Sequence, residues 1–189
     1  MGSVALIQRD PAANTKDLLV QAAAAEFRER GFDGTDSNKI ARRAGFAPQT
    51  FYRWFKDKTE VFVAVYRLWE EEERRFVGEL VRQGAGGAAV VEAAVKHHRD
   101  YLYFRRSLRR LSIEDPQVRE ARAQSRLRQV ERLHRHSRGG LTRDEIAVRL
   151  LELERLSDAL AEGELADMGL DEDAARRRLV AILGEMRKA

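Results

Sequence analysis

Residues 40–55 read IARRAGFAPQTFYRWF: one glycine, one proline, three arginines and a cluster of aromatic rings. Ile40, Ala41 and Ala44 fall at helical spacing, and Gly45 follows where a left-handed residue ends a helix. Pro48 suits the first position of the next helix, because no amide hydrogen is needed there. The stretch therefore predicts two short helices, SNKIARRA capped by Asp36 and PQTFYRWF, with Phe46 folding back between them. Lys39 at the third helical position rules out a reciprocal capping box in the first of them.

Upstream, Leu19, Ala23 and Phe27 recur every four residues beside Val20 and Ala24. A helix from about Lys16 to Arg30 is expected, with Thr15 as its cap, Gly31 as its stop and Phe32 packed onto its last turn. Two short helices around a tight glycine turn, behind a helix that offers a packing surface, make a helix-turn-helix. In the third helix Phe51 and Phe55 lie four apart and face inward. Gln49, Thr50, Arg53 and Trp54 then point elsewhere, presenting an amide, a hydroxyl, a guanidinium and an indole. Such a face fits a DNA groove, and equally an ordinary solvated surface with a half-buried tryptophan.

The run FRERGFDGTDSNKIARRAGFAPQTFYRWFKDKTEVF resembles the DNA-binding domain of the TetR family of bacterial transcriptional regulators. The likeness covers roughly residues 15–62. It rests on Phe27 to Gly31-Phe32, Thr35, Ile40-Ala41, Ala44-Gly45, Thr50-Phe51-Tyr52, Phe55 and Lys58 in fixed register. By position, the resemblance gives Gln49 and Thr50 to base edges and Pro48 to a thymine methyl. Tyr52 and Lys58 go to phosphates, Ser37 and Asn38 to the DNA backbone, and Arg53 to phosphate or base. Trp54 stands where family members often carry His, Tyr or Trp. Ala47 departs from the family's Ser or Thr cap, which removes one backbone-positioning hydrogen bond.

The whole chain, 189 residues with 35% charged, 43% hydrophobic and only three prolines, reads as all-helical. A net charge of +4 suits an anionic partner without identifying one. The absence of cysteine excludes disulfides, thiolate metal sites and cysteine nucleophiles. No apolar stretch is long enough to span a membrane, and MGSVALIQRD lacks a leader pattern, with Leu6 where myristoylation needs Ser or Thr. A cytoplasmic chain with a tail over residues 1–14 is expected.

Beyond Lys58 a long helix carries Val61, Val65, Leu68, Trp69, Phe76 and Leu80, and the acidic run Glu70 to Glu73 reads as a solvated face paired with Arg74 and Arg75. RQGAGGAAV is a loop rather than a phosphate cradle, since no Gly-Lys-Ser/Thr follows. A fifth helix is expected over about 88–105, then the basic stretch FRRSLRRLS, a turn at IEDPQ, and an Arg-rich helix over about 116–138 ended by RGG. His97-His98 and His134-x-His136 lack the spacing of a helical metal clamp. No metal, cofactor or catalytic constellation is expected, and the chain does not read as an enzyme. Thr142 and Glu145 open a helix in capping-box register, with Ile146, Leu150, Leu153, Leu156 and Leu160 inward. Asp171 caps a last helix carrying Ala175, Leu179, Ile182, Leu183 and Met186.

The resemblance implies an Ω-shaped all-α homodimer, with residues 15–62 on DNA and 63–189 for regulation and dimerisation. Leu153, Leu156, Leu160, Leu179, Ile182 and Leu183 are the interface candidates, although the same stripes fit an intramolecular core. Its partners would be a palindromic operator in double-stranded DNA and a small-molecule effector that releases a repressor. Trp69, His98, Tyr101, Tyr103 and Phe104 are the pocket candidates, a set suited to a flat or apolar molecule with one polar group. A DNA-binding protein without an effector, and an enzyme or ligand carrier retaining the N-terminal module, are the alternatives.

Overall fold

The computed structural model describes residues 14–136 and 140–188, and every regular element among them is a helix. Two compact units form. The first comprises Met1–Glu70 and Tyr103–Arg119, the second Glu71–Leu102 and Glu120–Ala189. The expected tail falls largely outside the described residues, as do the RGG stop, the end of the 116–138 helix and the side chain of His136.

The first unit holds α1 (Thr15–Arg30), α2 (Ser37–Arg43), α3 (Pro48–Tyr52), the opening half of α4 (Lys58–Arg82) and α6 (Leu102–Glu114). Its centre is aromatic. Phe62 of α4 lies 5.1 Å from Phe27, 5.4 Å from Phe32 and 5.0 Å from Phe104, ring centre to ring centre. Leu19, Ala23, Ile40, Ala41, Phe51 and Leu108 are buried with them. Gly31 closes α1 at φ 69°, and a β-carbon there would meet Ser107 Oγ at 3.1 Å, so glycine is needed for both backbone and space. The same hydroxyl accepts the Phe32 N–H (2.9 Å), joining the end of α1 to α6.

The second unit contains the rest of α4, α5 (Gly87–Asp100), most of α7 (Pro116–His136), α8 (Arg143–Glu162), the short α9 (Glu164–Asp167) and α10 (Asp173–Lys188). Val91 and Val95 of α5, Leu160 of α8, and Ala175 and Leu179 of α10 form its apolar centre. The capping box of α8 is present, and Gly163 ends that helix in the left-handed region. Asp171 accepts the Asp173 N–H at the start of α10 (2.8 Å).

Several elements differ from the sequence reading. Asn14, not Thr15, caps α1, because its Oδ1 reaches the Asp17 N–H at 3.0 Å while Thr15 is already helical. α3 ends at Tyr52, three residues early: the N–H groups of Arg53 and Trp54 turn back to Thr50 and Phe51. The helix expected over 88–105 breaks at Tyr101. What read as a basic stretch is α6, whose Phe104, Leu108 and Leu111 make an inward stripe among arginines. Asp115 alone separates α6 from α7, and its carboxylate accepts the Gln117 N–H at 2.9 Å.

Three interface candidates are interior. Leu160, Leu179 and Ile182 are fully buried within the single chain. Leu153, Leu156 and Leu183 are half-buried against the same cluster. The exposed apolar residues of α8 are instead Val148 and Leu151, 61% and 47% exposed.

Candidate nucleic-acid interface

The turn between α2 and α3 is built from backbone chemistry that the residue types dictate. Asp36 Oδ1 accepts the Lys39 N–H (2.8 Å), which opens α2 and holds the Asp36 carboxyl below its ordinary titration range. At the other end Phe46 N–H donates to Ala41 O (2.9 Å) and Gly45 N–H to Arg42 O (3.0 Å), with Gly45 at φ 79°. Ala47 gives α3 no side-chain cap, as its methyl group requires, and Pro48 follows at the helix start.

Phe51 and Phe55 anchor α3 from below, both buried with rings 5.6 Å apart. That anchoring sets what faces outward. Gln49 and Arg53 are exposed, Pro48 and Thr50 half-buried, Tyr52 58% exposed and Trp54 44% exposed. Across the turn Asn38 is exposed and Ser37 half-buried. Ser37 Oγ and Tyr52 Oη share a hydrogen bond of 2.7 Å, so two residues assigned separately to the DNA backbone form one unit bridging α2 and α3.

Lys58 is engaged more deeply than the sequence suggests. Its Nζ donates to Phe32 O (2.7 Å) and Thr35 O (3.0 Å) and sits 4.0 Å from the Phe32 ring centre. Burial lowers its pKa. Two of three ammonium hydrogens thus hold the loop before α2.

A network under α2 had no signature in the sequence reading. Buried Glu26 of α1 accepts from Thr35 Oγ1 (2.8 Å) and from Arg43 Nη1 (3.0 Å), and Arg43 also forks onto Glu29 at 2.7 and 2.5 Å. These contacts hold the entry and exit of α2 to α1. The Arg43 bond draws the Glu29 carboxyl below its usual range, and Arg43 is held more firmly protonated. The available signal was a glutamate next to Phe27 on the apolar face of α1.

The five pocket candidates divide between the units. Trp69, Tyr103 and Phe104 belong to the first: Trp69 and Phe104 are buried with ring centres 6.3 Å apart, the Arg105 guanidinium lies 4.7 Å from the Trp69 ring, and Tyr103 is exposed. His98 and Tyr101 belong to the second, where they meet carboxylates. Tyr101 Oη donates to Glu72 (3.0 Å), and the ring nitrogens of His98 lie 2.8 Å from Asp158 and 3.2 Å from Glu73. The acidic run is therefore only partly a solvated face: Glu71 pairs with Arg74, while Glu72 and Glu73 turn inward. Among the described residues no group of three or more His, Cys, Asp or Glu side chains is arranged to hold a metal, and no helix is long and apolar enough to cross a membrane.

Residues 19–65 match the family described as bacterial regulatory proteins, tetR family. A stretch of 67 residues is 30% identical to an HTH-type transcriptional regulator of Bacillus subtilis, YdgC, itself described as uncharacterized. That match covers 35% of this chain and 34% of the relative, about a third of its length. Among solved structures, a transcriptional regulator from Rhodococcus sp. Rha1 superposes with a TM-score of 0.66 at 19% identity, covering 92% of this chain and 96% of that one. A TetR-like transcriptional regulator from Rhodococcus sp. RHA1 does so with a TM-score of 0.54 at 21% identity, over 92% and 96%. At these identities the structural likeness speaks for the fold.

Proposed function

We propose that the chain, whose residues 19–65 match the family described as bacterial regulatory proteins, tetR family, is a DNA-binding transcriptional repressor released from its operator by a small molecule. Residues 15–62 read a two-fold operator, and residues 63–189 dimerise the chain and take the effector. Gln49 and Thr50 meet base edges, Pro48 a thymine methyl, and Arg53 a base or phosphate. Ser37, Asn38, Tyr52, Trp54 and Lys58 lie along the backbone.

The observation that carries the reading is the outward face of α3. Phe51 and Phe55 are sunk in the core while Gln49, Tyr52, Arg53 and Trp54 stand exposed together, beside a Ser37–Tyr52 bridge that joins the helix to its neighbour. A polar and aromatic surface on a rigid support is what groove reading asks for.

One helix-turn-helix offers a small reading surface, and a two-fold pair doubles it. Dimerisation is assigned to the outer faces of α8 and α10, with Val148 and Leu151 central and Leu153, Leu156 and Leu183 behind them. The effector acts by population shift: it binds better to a conformation in which the paired α3 helices no longer match the half-site spacing. The exposed Val148 and Leu151 support the dimer, and the polar interior around His98 and Tyr101 supports a ligand-responsive second unit.

Selecting duplexes from a random library with the full chain, then footprinting the winner, tests this directly. The expected result is a palindrome, protected by a dimer, with affinity that falls steeply with salt. An asymmetric site occupied by one chain, or no enriched sequence, overturns the reading. Reciprocity tests the effector part, because a compound that weakens operator binding must itself bind more weakly, by the same factor, when operator is present.

A further inference from the structure

One carboxylate on α1 holds both ends of α2. Glu26 is 5% exposed, and its Oε2 accepts from Thr35 Oγ1 (2.8 Å), one residue before the Asp36 cap. Its Oε1 accepts from Nη1 of Arg43 (3.0 Å), the last residue of the helix. Arg43 reaches on to Glu29, about one turn along α1, through both terminal nitrogens. The entry of α2 has a second hold, Lys58 Nζ on the Phe32 and Thr35 carbonyls. At the exit the polar hold onto α1 is Arg43.

The apolar face of α2 is short. Ile40 and Ala41 are fully buried and Ala44 nearly so, one large side chain and two methyl groups. A side chain of one carbon makes few contacts, so directed bonds carry more of the task of fixing the tilt of this helix. Stability alone does not account for the network. Arg43 Nε is buried without an acceptor, and an ion pair taken out of water contributes little net stability. What the bonds add is geometry, because a planar guanidinium meets two carboxylates in few placements. α3 follows α2: Phe46 N–H donates to Ala41 O (2.9 Å) across the Gly45 turn, and the hydroxyls of Ser37 and Tyr52 are 2.7 Å apart.

We infer that Glu26 and Arg43 are positioning residues for base reading, which set the pose of the α2–α3 pair on α1 and through it the reach of Gln49 and Thr50 into a groove. The Arg43 side chain is 13% exposed and both its terminal nitrogens face carboxylates, so its part is to position and not to touch DNA. A hydrogen bond to a base edge fails beyond about 3.5 Å, so a displacement of about 1 Å at α3 removes it, whereas attraction to phosphates acts over about 10 Å and survives. The inference rests on the helix-turn-helix reading DNA and needs neither dimer nor effector.

The test compares two duplexes of equal length, the one that the full chain enriches from a random library and a random one, each titrated by fluorescence anisotropy over a range of salt. Arg43→Met and Glu26→Gln are each expected to lower affinity for the enriched duplex about tenfold more than for the random one, the discrimination carried by one base contact. Unfolded chain lowers both affinities alike, so the ratio is blind to lost stability. The salt slope on random DNA should stay level, as neither variant gives up a phosphate contact. Arg43→Lys keeps the charge without the fork and should lose the ratio as well. An unchanged ratio in Arg43→Met, a salt slope lowered by about one, or a ratio restored in full by lysine overturns the inference. A parent chain that enriches no duplex overturns the DNA reading and this inference together, and an enriching parent matched by its variants overturns this inference alone. Should Arg43→Met not fold, Glu26→Gln, which keeps one acceptor oxygen, supplies the same comparison.

Discussion

The interiors of the two units differ in emphasis, though each buries some charge, Glu26 and Arg105 in the first and His98 and Asp158 in the second. In the first, Phe27, Phe32, Phe62 and Phe104 stack edge and face in a continuous aromatic core, and the charged network of Glu26, Thr35 and Arg43 sits at its margin under α2. In the second, the apolar centre of Val91, Val95, Leu160 and Leu179 is joined by charge: His98 with Asp158 and Glu73, and Arg122 and Arg126 with Glu154. Apolar packing fixes one geometry and is indifferent to pH. Buried ionisable groups hold a geometry only while their protons and partners stay in place.

The sharpest break of this contrast is Phe62→Ala. Removing a fully buried ring that touches three others should cost about 3–5 kcal/mol, read as a lowered denaturant midpoint, with unfolding of the first unit. A loss below about 1 kcal/mol would mean that the aromatic core is not what holds the platform.

Arg43→Met comes next. It leaves buried Glu26 with Thr35 and the more distant, half-exposed Arg30 (3.8 Å), at a cost of about 1–3 kcal/mol, and changes the response to acid. Because Glu29 titrates below its usual range in the folded chain, its contribution is complete above the unfolded carboxylate range and is lost as pH falls through the lowered value. Urea titrations at neutral pH and near pH 3 should show that part of the acid sensitivity disappearing in the variant; an unchanged difference would dissociate Arg43 from Glu29.

Smaller and more selective effects are expected on DNA. Gln49→Ala should weaken the selected duplex by about 1–3 kcal/mol and random duplex less, while Tyr52→Phe should weaken both alike, as a lost phosphate contact carries no base information. Parallel losses in both variants would erase the division between reading and positioning on α3. The smallest stability effect belongs to Val148→Asp, within about 0.5 kcal/mol for the single chain because the site is already exposed. Sedimentation at micromolar concentration should nonetheless show it shifted toward monomer; an undiminished dimer would move the interface elsewhere.

What the sequence disclosed follows from distance along the chain. The helix-turn-helix was legible because its determinants are local: Asp36 and Lys39, Ala41 and Phe46, and Phe51 and Phe55 lie three to five residues apart. α6 escaped notice because four arginines mask a stripe of Phe104, Leu108 and Leu111 that becomes apolar only once its inner face is known. His98 and Asp158 are 60 residues apart, and no local pattern announces such a pair. Leu160, Leu179 and Ile182 were recognised as apolar, but periodicity reports that a face is covered and not by which chain. Lys58 shows a third limit: a position matched by resemblance also proved to hold backbone carbonyls.

The uninterrupted run of α4 sets a scale for motion. Its 25 residues span about 38 Å at 1.5 Å each, with no proline along the way. A tilt of about 5° about one end therefore carries the other through roughly 3 Å, close to the 3.4 Å that separates neighbouring base pairs along a strand.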